Sequence, residues 1–299
     1  MDYSMGKEGI SVCITAYDAQ AYIKECLDSV LQQTWFKTHK NWEIIVGVDG
    51  CEKTLEYLKT IMHNYKNLRV LMMDSNKGTY ITSNTIISAA SYENIFRFDS
   101  DDIMCPNLVE TVMMKKNDCM FVRYHFQNYG ASGKGLAHGT IYIKKAIFLK
   151  YGGFRPWPCG ADTELYYRLR NVESTKNIPD ILMLRRVHEK SLTHAAETGM
   201  KSALRMKYKE FIDNMKISKQ ADAIIECVTN TYTEITSSLD GTTDKDAYME
   251  NLKEIKKITK IEKPKISNVQ IVARLRDDIA NGRVIKVPTL HGFVWKRVK

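Results

Sequence analysis

Apolar positions in the first hundred residues alternate between two periods. Ile10–Ala16 is a short, mainly apolar run suited to a buried strand, and Tyr22, Ile23, Cys26, Leu27, Val30 and Leu31 then recur at the spacing of one helix face. The pattern repeats. Glu43–Val48 reads as strand and Leu55, Leu58, Ile61, Met62 and Tyr65 as a helical stripe, followed by a strand over Leu68–Met73, a helix over Thr79–Ala90 and a strand over Asn94–Phe98. Strands alternating with helices of this length predict right-handed crossovers and a mostly parallel α/β sheet.

Beyond Asp102 the order loosens. Pro106–Met114 reads as a helix opened by proline, Met120–Phe126 as a strand, Gly130–Gly135 as a surface loop and Gly139–Lys144 as a further strand. A Pro/Trp-rich loop then leads into a helix whose first turn holds Asp162 and Glu164, and Ile181–Val187 is a strand that ends at His188. From Met200 the expectation is helical, with helices over 203–215, 221–236, 247–258 and 269–279. This divides the chain into residues 1–199 and a helical, basic region 200–299.

Composition changes little in this picture, but charge sharpens it. The formal net charge is +9, and residues 252–299 alone hold thirteen Lys/Arg against four Asp/Glu, leaving thirty-one of each sign in residues 1–251. The body is neutral, so an anionic partner would be a matter for the tail. Seven cysteines, an odd number without a CxxC pair, fit reduced fillers better than a zinc site or a disulfide framework. With neither a signal-peptide pattern nor a membrane-length apolar run, the expected location is the cytoplasm.

In a parallel sheet, ligands bind beyond the carboxyl ends of the strands, which makes those ends the places to inspect. The first ends in Thr15-Ala16-Tyr17-Asp18, the second in Asp49-Gly50, and the fourth in Asp99-Ser100-Asp101-Asp102. Three carboxylates within four residues repel one another unless something positive is shared among them, and their hard oxygens suit Mg²⁺ or Mn²⁺. Each feature has a plainer explanation when taken alone. Asp-Gly is ordinarily a turn, an acid in a first helical turn favours the helix dipole, and a lone Tyr17 or His188 is ordinarily packing or surface.

Taken in order, ISVCITAYDAQAYIKECLDSVLQQT, WEIIVGVDG, FDSDD followed by Pro106, and YGGF with GADTELYYRL and RRVHEKSLTH resemble the family 2 glycosyltransferases of the GT-A fold, from about Ile10 to His194. The resemblance implies a Rossmann-like, mostly parallel mixed sheet flanked by helices, to which the helical C-terminal region is appended. It also implies a nucleotide-diphosphate sugar donor, such as a UDP- or GDP-sugar, a divalent cation (Mn²⁺ or Mg²⁺), and inversion at the anomeric carbon. Residue by residue, it places Thr15 and Tyr17 against the nucleoside and Asp49 against the base, with Val48 where the family commonly has another Asp. Asp99, Ser100 and Asp101 become the Asp-x-Asp donor site, with Asp101, Asp99 and His188 around the metal. Asp162 becomes the general base, and Glu164 is the reserve.

Two other classes compete with this one. A nucleotidyltransferase would also set acids at strand ends, but would carry a basic glycine-rich loop where this chain has TAYDAQ. A decayed, non-catalytic module could present the basic tail to a polyanion, although retention of Asp49, Asp99, Asp101 and Asp162 together argues against decay. The acceptor is open among a glycan, a small molecule, a protein and a modified base of DNA. The tail could meet nucleic acid or an anionic membrane surface.

Overall fold

A computed structural model describes residues 7–189, 191–218 and 225–235, together with the backbone of 285–289 and 292–296. Strands β1 (Lys7–Ala16), β2 (Trp42–Val48), β3 (Leu68–Met73) and β4 (Tyr92–Asp99) lie in the order β3-β2-β1-β4, all parallel. Helices α1 (Ile23–Leu31), α2 (Thr34–Thr38), α3 (Glu52–Ile61) and α4 (Thr79–Ala89) fall in the connections between them. The alternating periods of the sequence have become crossover units. Because β1 is central, its carboxyl end lies beside both neighbours, with Thr15 in register with Gly47 on β2 and Asp99 on β4.

The second half of the chain extends the sheet. Past β4 come β5 (Ile103–Met104), α5 (Leu108–Lys115), β6 (Phe121–Tyr129), β7 (Lys134–Leu136), β8 (Ile141–Lys144), α6 (Lys145–Lys150), α7 (Ala161–Leu169) and β9 (Thr175–Arg186). β8 runs antiparallel to β4, so the residues just before Ile141 reach the edge where Asp99 ends. β9 runs parallel to β6 and antiparallel to the short β5, which carries the segment after Arg186 to the same region. The sheet is therefore mixed, parallel through its first four strands. The segment read as a loop over 130–135 is a hairpin end, since Lys134–Leu136 pairs with β6.

Apolar side chains fill both faces of the sheet. Val12, Ile14, Ile44, Val46, Phe96 and Phe98 belong to one buried cluster together with residues of α1, α3 and α5. Cys13, Ile45, Leu71, Ile95 and Ile143 face the other way, packing with residues of α4, α6 and α7. Burial on both sides explains why these strands read as apolar runs rather than as alternations. Of the seven thiols, all free, Cys13, Cys26 and Cys159 are buried and the other four are part-exposed.

The C-terminal expectation needs correction. Helix α8 (Ala203–Ser218) is present, but residues 225–231 carry no helix or strand and Tyr232–Ile235 is a strand, β10, antiparallel to β3. A helix over 221–236 is thus overruled where the chain is described. The cause is visible in Val228-Thr229-Asn230-Thr231-Tyr232-Thr233-Glu234-Ile235, a β-branched and aromatic run with higher strand than helix propensity. Glu234 is also paired with Arg69 of β3 at 2.8 Å. The helices expected over 247–258 and 269–279 lie outside the described residues. The chain divides into compact units Met1–Ser237 and Ser238–Lys299, and the second contains an antiparallel hairpin of β11 (Ile285–Thr289) and β12 (Gly292–Lys296). Among the described residues no helix is long and apolar enough to cross a membrane.

Candidate active site

The carboxyl edge of the parallel strands is organised around a buried cation. Arg97 lies on β4 with 2% of its surface exposed, in a strand otherwise rich in apolar residues. Its Nε donates to Ser83 Oγ at 3.1 Å, Nη1 to the Gly139 carbonyl at 3.1 Å, and Nη2 to the hydroxyls of Thr15 at 3.2 Å and Thr79 at 2.7 Å. Nη1 also pairs with Asp99 Oδ1 at 2.6 Å. One planar guanidinium thus ties β1, α4, β4 and the approach to β8 together, a task that suits its fixed fork of donors. Thr15 is buried in this network and shares a 2.9 Å hydrogen bond with Thr79. Tyr17, two residues later, is 58% exposed and stands at the mouth of the edge.

Asp49 is buried, and its two carboxylate oxygens accept the backbone N–H groups of Lys77 and Gly78, each at 2.9 Å. Gly78 is the residue before the first turn of α4, so the carboxylate also sits where the helix dipole favours negative charge. The turn is tight enough to demand glycine at position 50. Its φ is +65°, and a Cβ there would lie 2.4 Å from the backbone nitrogen of Asn76. Asp49 therefore braces the loop after β3, and each of its oxygens keeps a lone pair for a further donor.

Asp162 lies in the first turn of α7, whose entry is the left-handed Gly160 at φ +81°. Its Oδ1 accepts the phenolic O–H of Tyr80 at 3.0 Å and the N–H of Thr163 at 2.8 Å. Its Oδ2 faces Gly139, where an added Cβ would stand 3.5 Å from it, 3.5 Å from Oδ2 of Asp99 and 3.1 Å from Nη1 of Arg97. Both carboxylates thus approach the one small gap that the missing side chain of Gly139 leaves. Partial removal from water pushes the Asp99 carboxyl above the usual carboxylate value, although 36% of the side chain stays exposed; the Arg97 guanidinium pulls it back, and Asp101 and Asp162 push it up. Beside the gap, His138 lies near Arg123 at 3.3 Å and Thr163 at 3.5 Å. Burial holds its imidazole below the usual value, against an upward pull from Asp162.

Asp101 and His188 meet, with Oδ2 and Nε2 2.9 Å apart. His188 is delivered by the end of β9, where Arg186 donates its backbone N–H to Asp102 at 2.9 Å and its Nε to the Asp101 carbonyl at 3.0 Å. Asp102, 4% exposed, is accordingly a brace for the strand end, and burial pushes its carboxyl well above the usual value. Ser100 is buried between the two acids. Among the described residues no three His, Cys, Asp or Glu side chains form a closed metal cage. A carboxylate oxygen and an imidazole, both part-exposed, do fit a divalent cation whose remaining positions are filled by ligand phosphates.

Glu164 does not share the site. It is fully buried and pairs with Arg155 at 2.9 Å and Arg168 at 2.8 Å, while Arg168 also donates to the carbonyls of Tyr151 and Gly153. The two-residue offset around α7 that separates it from Asp162 turns it into the interior. Sequence reasoning missed Arg97, Tyr80, His138 and Gly139. For Arg97 a signal exists, a lone basic residue inside a buried strand; Tyr80 and His138 carry none, since their partners are distant in sequence.

A sheet whose central strands end in this polar edge, with helices on both faces, defines a GT-A type of α/β fold. The chain belongs to glycosyl transferase family 2, whose model matches residues 11–186. Glycosyltransferase GlyG of Streptococcus pneumoniae is 33% identical over 128 residues, 42% of this chain and 41% of that protein, so the match spans less than half of the relative. Among solved structures, S. aureus TarS 1-349 in complex with UDP-GlcNAc has a TM-score of 0.56 at 15% identity, over 70% of this chain and 71% of that one. Mannosyltransferase PcManGT from Pyrobaculum calidifontis, in complex with GDP-Man and Mn²⁺, has a TM-score of 0.52 at 14% identity, covering 69% of each chain. At these identities the likeness is one of fold. The family that matches is one of glycosyl transferases and not of nucleotidyltransferases.

Proposed function

We propose that the protein transfers a sugar from a nucleotide-diphosphate sugar to an acceptor hydroxyl by a single inverting displacement, with Asp162 as general base and with help from a divalent cation. The observation that carries this is the gap at Gly139, flanked by Oδ2 of Asp162 and Oδ2 of Asp99. The pair sets an acid on the acceptor side against an acid at the donor strand end. An acceptor hydroxyl is too weak an acid to attack unaided at neutral pH, so a carboxylate must take its proton as the new bond forms. Inversion requires one such base and no covalent intermediate. TarS and PcManGT, which share the fold, bind UDP-GlcNAc and GDP-Man. This supports a UDP- or GDP-sugar as donor.

In this reading Thr15, Tyr17 and Asp49 contact the nucleoside, and Asp99, Ser100 and Asp101 line the donor's ribose and phosphates. Asp101 and His188, with Asp99 beside them, would hold the Mn²⁺ or Mg²⁺, which when bound offsets the charge on the leaving phosphate. Residues 1–199 are the proposed catalytic core, within a compact unit Met1–Ser237 that also takes in α8 and β10. The thirteen basic residues of 252–299 are its proposed contact with an anionic acceptor or surface.

The test is a thermal-shift screen of UDP- and GDP-sugars with and without Mn²⁺, followed by transfer assays. A ligand that binds only the native state raises its stability as ln(1 + [L]/Kd). Asp101→Ala is expected to abolish the metal-dependent shift; Asp162→Asn is expected to keep it and to lose transfer. Equal donor affinity in wild type and Asp101→Ala would sink the metal assignment, and near-normal transfer by Asp162→Asn would sink the base.

A further inference from the structure

We propose that Tyr80 is the positioning residue of the base: by donating its phenolic hydrogen to Oδ1 of Asp162, it reserves Oδ2 for the acceptor hydroxyl. The inference rests on the reading of Asp162 as base and adds which oxygen acts and what holds it.

Three observations converge on Tyr80. Its ring is buried, with 4% of its surface exposed, and packs 5.3 Å from Phe154, so the phenol has one orientation. Its oxygen donates to Asp162 at 3.0 Å and accepts the N–H of Gly160 at 3.2 Å, so one atom of α4 fixes both the entry of α7 and the carboxylate in its first turn. With the Thr163 N–H at 2.8 Å, Oδ1 holds two donors, while Oδ2 looks into the Gly139 gap. Burial and the Asp162 charge raise the phenol well above its ordinary value, so it stays protonated and donates to Asp162 while accepting from Gly160.

The step balances without Tyr80 losing its proton. As the acceptor oxygen bonds to the anomeric carbon and the bond from that carbon to the phosphate oxygen breaks, the acceptor proton moves to Oδ2. The electron pair leaves with the nucleoside diphosphate. Tyr80 holds the plane of the carboxylate throughout, which keeps Oδ2 within proton-transfer reach. The charged or titratable groups near the Tyr80–Asp162 pair from other elements include Asp99 and Arg97 on β4, His138 before β8, Cys159 before α7 and Arg205 on α8.

The experiment follows nucleotide release from a panel of UDP- and GDP-sugars with Mn²⁺, water serving as acceptor, for the full chain, Asp162→Asn and Tyr80→Phe. Loss of one hydrogen bond to a charged group is expected to lower kcat of Tyr80→Phe by about tenfold to a hundredfold. Donor KM should stay within about twofold, as expected of a group that acts on the reacting state, while Tm falls by a few degrees because the buried Gly160 N–H loses its acceptor. The acid limb of the pH–rate profile should move to higher pH, because a carboxylate that loses a donor holds its proton more firmly. Wild-type kcat with an unmoved limb overturns the proposal, as does a fall in kcat accompanied by a matching rise in KM. If Tyr80→Phe does not fold, 3-fluorotyrosine at position 80 keeps the ring and strengthens the donor; the limb should then move to lower pH, and an unmoved limb overturns the proposal. Normal release by Asp162→Asn, or none by wild type with any donor, instead removes the reading of the base on which this rests.

Discussion

Replacing Arg97 by Met removes the cation under the site while keeping a long apolar side chain in its place. Five polar interactions disappear together, those with Ser83, Gly139, Thr15, Thr79 and Asp99. Breaking a buried ion pair from one side costs about 3–5 kcal/mol, most of it from the partner left behind. Here the partners are cushioned. Thr15 and Thr79 still bond each other, Ser83 still donates to the Thr79 carbonyl at 2.7 Å, and the Asp99 side chain is 36% exposed and can be hydrated. The loss should fall at the low end, about 3 kcal/mol, which at about 2–4 °C per kcal/mol for a unit of this size lowers Tm by about 6–12 °C. Melting of Arg97→Met, Asp99→Asn and the double variant in the absence of metal measures the pair directly, because the double variant leaves no orphaned partner. A single variant melting within 2 °C of wild type would refute the claim that this guanidinium holds the strand ends together.

Two further outcomes follow from groups beside the site. Glu164→Ala leaves Arg168 buried without its carboxylate and is expected to cost about 3–5 kcal/mol, a large fall in Tm; a variant that melts normally but fails to transfer would return Glu164 to the chemistry. His138 is held below its ordinary value by burial, so the unfolded chain binds a proton more readily than the native one. Its contribution is present above the unfolded value of about 6.5 and is lost as pH falls through the lower native value. Between pH 7 and pH 5, Tm of His138→Gln should fall less than that of wild type in buffers of equal ionic strength; parallel curves would count against an imidazole held below its ordinary value.

The contrast between what the sequence discloses and what it conceals follows from distance along the chain. The first four strands and their helices were legible because each buries its own apolar positions with a fixed period, and Leu68–Met73 matches β3 residue for residue. Thr15, Asp49 and Asp99 were legible as strand ends, and pattern alone placed them on one edge. Resemblance, not periodicity, linked Asp162 and His188 to that edge, since Asp162 reaches it through the packing of α7 against α4 and His188 through the pairing of β9, neither of which local spacing reveals. Tyr80 sat unremarked in a helix, because nothing near it in sequence announces a partner on α7. Strand β10 was read as helix because its pairing partner, β3, lies some 160 residues earlier and is invisible to a sliding window.

The same distances govern how the site comes into being. Tyr80 and Asp162 are 82 positions apart, Asp101 and His188 are 87, and Arg69 and Glu234 are 165. Each of these contacts closes a long loop before any stabilisation is returned, the condition under which folding is slow. A chain emerging from the ribosome can pair β1 to β4 and seat Arg97 against Thr15, yet it exposes an acidic edge without its tyrosine-bound carboxylate until α7 has emerged and without its histidine until β9 is complete. Assembly of the reactive centre is thus a late event in the life of each molecule. A chain ending before Asp162 would hold the parallel strand ends and none of the far partners.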